Sequence, residues 1–230
     1  GGYKRKDLWE HEIVKDGQTL SFDEAMALFV DKTGRAGPST WEAGSYLINE
    51  GDLPVTGVSW YEAAAYARFA GYELPTIHHW RRAFAIGMLA WQLPASNLER
   101  DGVSAVGEFN GIGWTGTYDM AGNVREWCFS ATGDQKRAIV GAAWNDVPYM
   151  VLESISSPGR RDALDRSAMN GLRLASTNDE LKTMQAATKP VADAEVAQLA
   201  DPVSDEVFEA RRSDFDYDSE PLNAVIEEVT

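Results

Sequence analysis

Asp119 and Glu126 stand seven residues apart in the run Asp119-Met120-Ala121-Gly122-Asn123-Val124-Arg125-Glu126-Trp127. Two carboxylates flanking an irregular, glycine-containing segment, whose main-chain carbonyls can turn toward one point, suit a hard divalent cation. Calcium takes about 6–8 oxygens from carboxylates, carbonyls and water and tolerates irregular geometry. The same residues also read as an aspartate in a turn and a glutamate paired with a nearby arginine, and spacing alone leaves both readings open. Cys128 is the only thiol, so it forms no intrachain disulfide and supplies no cysteine-rich zinc site; it reads as a buried structural thiol. The histidines are His11 and the adjacent pair His78-His79. Neighbours on a helix point about 100° apart, so the pair reads as one inward and one outward side chain rather than a chelate. No nucleophile-elbow motif is present.

The elements that must position these groups are signalled locally. Ser21-Phe22-Asp23-Glu24 and Ser59-Trp60-Tyr61-Glu62 both fit the capping box, and Thr76 is a third candidate cap. The first helix is expected to run through Met26 and Phe29 to stop near Gly34. The second places Ala63, Tyr66, Ala67 and Ala70 on one stripe and ends at Gly71, and the third runs from Ile77 to Phe84. After residue 90 many glycines, isolated tryptophans and short apolar runs such as Ala138-Ile139-Val140 predict short strands and long loops. Helices first and irregular β later make an α+β domain. Trp41, Trp60, Trp80, Trp127 and Trp144 read as core residues, and Arg160-Arg161-Asp162 with Asp165-Arg166 as a mixed-charge loop with ion pairs.

The 230 residues are 44% apolar and 25% charged, enough for one substantial core, and carry a formal charge of −15. That charge repels phosphate backbones and anionic lipid, which disfavours nucleic acid and a membrane surface as partners. No apolar run is long enough to span a bilayer, and the first residues lack both an initiator Met and a signal-peptide core, so the chain reads as an excised, cytoplasmic piece. Acidic side chains far outnumber basic ones beyond residue 177. The expected organisation is a domain over 1–177, a linker over 178–200 and an acidic segment over 201–230, in which Phe208, Phe215, Tyr217 and Leu222 are apolar anchors.

Over residues 20–177 the sequence resembles the formylglycine-generating enzyme family, the sulfatase-modifying factors. The resemblance rests on the order and spacing of Leu53-Pro54-Val55-Thr56-Gly57-Val58-Ser59-Trp60-Tyr61-Glu62-Ala63, Gly71-Tyr72-Glu73-Leu74-Pro75-Thr76 with Trp80, Tyr118 to Trp127, Gly141-Ala142-Ala143-Trp144, and Gly171-Leu172-Arg173-Leu174-Ala175. It implies an α+β variant of the C-type lectin fold, with little regular structure and rigidified by calcium. Carried over residue by residue, one calcium site would use the side chains of Asp119 and Glu126 and the carbonyls of Gly122 and Val124. A second would begin with the Asn97 side chain and the Leu98 carbonyl, its remaining ligands falling in a stretch that is shorter here.

The family's oxidase converts a sulfatase cysteine to formylglycine with copper held by two cysteines five apart, a soft thiolate pair suited to Cu(I). The matching positions here are Asp146 and Val151, so copper is not expected. The related iron enzymes take their histidines largely from a helical domain not found in this sequence. The resemblance places Trp144, Asp146 and Arg161 along the substrate groove and makes Arg173 a fold-supporting arginine with an unidentified partner. The N-terminal half is similar to the form of this domain in bacterial multidomain chains, where a serine/threonine kinase often precedes it and a hydrolase-like region sometimes follows. The expectation is a non-catalytic, calcium-stabilised module binding an unknown small ligand or protein, with a kinase in cis. A formylglycine-generating oxidoreductase with an unrecognised site and a structural spacer are the alternatives.

Overall fold

The computed structural model describes residues 2–84 and 86–176, and Asp205. The chain divides into two units, residues 1–192 and 193–230. The linker expected over 178–200 and nearly all of the acidic segment over 201–230 lie outside the described residues.

Three helices start where local chemistry places them. In α1 (Phe22–Leu28) Ser21 Oγ accepts the Glu24 N–H at 3.4 Å and Glu24 Oε2 accepts the Ser21 N–H at 2.8 Å. In α2 (Trp60–Phe69) the same reciprocal pair forms between Ser59 and Glu62, at 3.1 and 2.8 Å, with both residues buried. Thr76 Oγ1 accepts the His79 N–H at 3.2 Å at the start of α3 (Ile77–Phe84). Two details differ from expectation. α1 does not continue toward Gly34: it breaks at Phe29, which is fully buried, and the Leu28 and Val30 carbonyls turn to the Arg166 guanidinium at 3.1 and 2.8 Å. On α2 the buried stripe is Trp60, Ala63 and Ala67, and Tyr66, to one side of it, is exposed.

A hairpin of β1 (Val14–Lys15) and β2 (Gln18–Thr19) precedes α1, and a short α4 (Leu89–Gln92) follows α3. The main sheet has the order β5-β4-β3-β6: β3 (Arg125–Gly133) and β4 (Lys136–Val140) form a hairpin, β5 (Gly159–Asp162) is antiparallel to β4, and β6 (Asn170–Leu172) is parallel to β3. Helix α5 (Tyr149–Ser156) lies between β4 and β5 in sequence. The α+β class read from the sequence is the observed one.

Strand β3 is buried on both faces because alternate side chains enter different cores. Trp127 packs with Phe29, Trp60, Ala63 and Ala67, whereas Cys128 packs with Ile77, Trp80, Val140 and Val151. The buried indoles of Trp60, Trp80 and Trp127 all donate: to the Cys128 carbonyl at 2.9 Å, to Glu126 at 2.7 Å and to the Val58 carbonyl at 2.9 Å. These three are core residues, as expected. Trp41 and Trp144 are only part-buried.

The segment from Ala163 to Ala175 closes the N-terminal half. The Trp60 N–H donates to the Ala163 carbonyl at 3.0 Å, the Gly57 N–H to the Asn170 carbonyl at 3.1 Å, and Glu73 pairs with Ala175. Gly57 makes this approach possible: its φ is +73° and a Cβ there would lie 2.3 Å from Ser39 Oγ. Arg166 is the central tie. It donates Nε and Nη2 to the two oxygens of Glu62 at 2.8 and 2.9 Å, and Nη2 also reaches the Gly37 carbonyl at 2.6 Å.

Candidate functional site

Glu126 projects from β3 toward α3. Its Oε2 accepts the Trp80 Nε1–H at 2.7 Å and the Arg173 Nε–H at 3.0 Å, and its Oε1 accepts an Arg173 Nη2–H at 2.7 Å. Arg173 also donates to the Tyr118 carbonyl at 2.8 Å. The partner that sequence could not assign to Arg173 is therefore the glutamate of the acidic motif, in a bidentate fork. The charge of Glu126 pushes the Arg173 pKa up. Asp119 sits at the other end of the motif with φ +58°, an uncommon conformation for a residue with a Cβ, and its Oδ2 accepts the Gly107 N–H at 2.8 Å. Burial pushes the Asp119 carboxyl up and the charge of Glu126 acts the same way; the Gly107 N–H and Arg173 pull against them.

Asp119 and Glu126 are the two side chains of the first calcium expectation. Glu126 is paired with the Arg173 guanidinium, whose charge also acts on Asp119. Among the described residues no three or more Asp, Glu, His or Cys side chains converge, and the Gly122 carbonyl accepts the Val124 N–H at 3.0 Å. Gly122 is packed tightly: a Cβ would lie 2.5 Å from the Asn97 carbonyl oxygen.

The second calcium expectation names the Asn97 side chain and the Leu98 carbonyl. The Asn97 amide turns its nitrogen, not its oxygen, to the local polar centre, donating to the Gly102 carbonyl at 3.0 Å, Ser104 Oγ at 3.1 Å and Asn123 Oδ1 at 3.1 Å. The orientation is fixed because Asn123 Oδ1 must also accept the Ser104 N–H at 3.0 Å. Leu98 is a buried side chain of the core beside α3. Asn97 and Leu98 thus tie the loop at 97–104 to the motif: the Asn123 N–H donates to the Asn97 carbonyl at 2.9 Å and the Trp144 N–H to the Asn123 carbonyl at 2.9 Å.

The positions matching the copper cysteines are built into other interactions. Asp146 Oδ1 accepts an Arg125 Nη2–H at 2.6 Å and its Oδ2 accepts the Ala143 N–H at 2.7 Å. Val151 faces inward from α5 and is fully buried beside Trp80 and Cys128. Burial pushes the Cys128 thiol well above its ordinary pKa, against thiolate formation. One valine, one ion-paired carboxylate and one buried thiol do not make a Cu(I) site. Of the groove residues, Trp144 and Asp146 share a loop, whereas Arg161 lies on β5 in register with Arg137. The structure adds Trp80 and Arg125 as polar partners. Arg125 was signalled by its place next to Glu126, since strand alternation sends it to the opposite face.

The chain belongs to the sulfatase-modifying factor enzyme 1-like domain family, whose pattern matches residues 10–178. Within that class it is 33% identical over 127 residues to mouse inactive C-alpha-formylglycine-generating enzyme 2, covering 45% of this chain and 41% of that protein. It is 31% identical over 115 residues to the formylglycine-generating enzyme of Thermomonospora curvata, covering 38% of each. It is 39% identical over 85 residues to the serine/threonine-protein kinase pkn1 of Chlamydia pneumoniae, covering 33% of this chain and 13% of the kinase. Among solved structures, Treponema denticola variable protein 1 aligns with a TM-score of 0.49 at 18% identity, covering 61% of this chain and 77% of that one. The chain therefore spans well under half the length of these curated relatives. No helix among the described residues is long and apolar enough to cross a membrane.

Proposed function

We propose that the chain is a non-catalytic member of the formylglycine-generating enzyme family, a ligand- or protein-binding module of a longer kinase-containing protein. The observation that carries this reading is the fate of the copper positions: Asp146 is saturated by Arg125 and the Ala143 amide, and Val151 is part of a closed core. Similarity to a relative named as inactive and to a serine/threonine kinase supports it. The test incubates the chain with copper, oxygen and a cysteine peptide of sulfatase type and follows the peptide by mass spectrometry. Unchanged cysteine is expected; formylglycine in the product would overturn the reading.

The same reading includes a structural calcium ion held by the Asp119 and Glu126 side chains and the Gly122 and Val124 carbonyls. Its support is the placement of two acidic side chains, Asp119 and Glu126, near one another around Arg173. Such an ion would pin the loop at 119–124 to β3 and take no part in chemistry. Ligand binding to the native state stabilises by about 2.7 kcal/mol at a hundredfold excess over Kd. Melting curves with calcium and with chelator should therefore separate. Superimposable curves together with no heat on calcium titration would remove the ion from the proposal.

A further inference from the structure

A cavity of about 510 Å³ opens between α2, the first nine residues and the loop around Trp41. Its size falls in the range of about 300–1,000 Å³ typical of small-molecule sites. The walls are aromatic and held in place. Trp9 stacks on the buried Phe29 at 5.2 Å, Tyr3 leans on Trp9 at 5.7 Å, and Trp41 meets Tyr46 edge-on at 5.6 Å. Ala65 supplies a small side chain facing the void. The rim is apolar and open: Val106 is 65%, Phe69 59%, Tyr66 52% and Tyr46 49% exposed, a convergence that soluble surfaces generally avoid unless something binds there. Tyr3 and Trp9 precede residue 10, where the family match begins.

The charge of the lining selects the ligand. Among the described residues no lysine or arginine lines the cavity, and the one carboxylate among them that does, Glu62, already accepts four hydrogen bonds: from Tyr3 Oη at 2.9 Å, the Ser59 N–H at 2.8 Å and Arg166 at 2.8 and 2.9 Å. An aromatic cage with a free carboxylate would recognise a cation. Here the guanidinium has taken that place, and an anion meets no positive side chain among the described lining residues of a chain of charge −15.

We propose that this cavity is a binding site for a neutral, predominantly apolar small molecule. It lies apart from Trp144 and Asp146 and stands on its own geometry, so formylglycine production in the copper assay would leave it untouched. The test is titration of the full 230-residue chain with the uncharged dye Nile red. Saturable one-to-one binding with blue-shifted emission is expected. Ala65→Phe, which projects a ring into the void, should weaken binding at least about tenfold, and Tyr46→Ser, at a half-exposed wall position, about fivefold, as expected for lost apolar burial. Absence of saturable binding, or binding that both variants leave unchanged, overturns the proposal. So does a dimer in sedimentation velocity that Tyr46→Ser dissolves, because the mouth would then be covered by a second copy.

Discussion

Arg166 joins three separated pieces of chain, donating to Glu62, to the Leu28 and Val30 carbonyls and to the Gly37 carbonyl. Arg166→Met leaves a buried carboxylate without its counter-charge, a change that costs about 3–5 kcal/mol; the urea midpoint should fall accordingly with little change in slope. Two further side chains set the response to acid. His11 packs on Trp60 at 4.7 Å, and burial, with the charge of Arg137 beside it, lowers its pKa from 6.5. The unfolded chain then takes up that proton first, so this contribution is complete above pH 6.5 and declines as pH falls below it. Asp31 behaves likewise at lower pH. Burial opposes its charge, but N–H bonds from Gly44, Arg35 and Thr33 and the Thr33 hydroxyl outweigh that and bring its pKa from 3.8 down to about 2. Its contribution is present above pH 3.8 and lost as pH falls toward 2. Melting temperature should fall in two stages on acidification, and His11→Gln should remove the first alone.

Elements that are specified by neighbouring residues were legible in the sequence, and those specified by distant ones were not. Both capping boxes and the start of α3 follow from side chains within three positions of the helix start. Ser59→Ala should lower stability by about 1–2 kcal/mol, and Ser21→Ala, at an exposed cap, by less, as measured by chemical denaturation. The end of α1 could not be read because the group that captures its carbonyls is Arg166, far along the chain. The acidic motif at 119–126 was found by spacing, yet the arginine partner of Glu126 is Arg173, which the parallel pairing of β3 with β6 brings alongside. Helix α5 decides the fate of the copper positions in the same way: its inward face carries Val151. Asp146→Cys combined with Val151→Cys should therefore give a less stable protein that still makes no formylglycine, because one thiol enters the core and Arg125 loses its carboxylate; product by mass spectrometry would contradict this.

Across the whole domain, β3 serves as the shared wall of two cores, with Trp127 on one side and Glu126 and Cys128 on the other. Each side contains a buried glutamate, Glu62 or Glu126, and each receives its cation from the closing segment, as Arg166 or Arg173. Loss of either arginine should thus be felt in both cores, and tryptophan fluorescence and far-ultraviolet dichroism should report one coincident transition. During synthesis the ribosome releases both acids long before either guanidinium exists. A nascent chain that has extruded α1, α2 and β3 therefore holds two uncompensated charges where its interior must form, so closure waits for the final strand. A premature stop codon before residue 166 would yield an open, protease-sensitive chain rather than a smaller folded one.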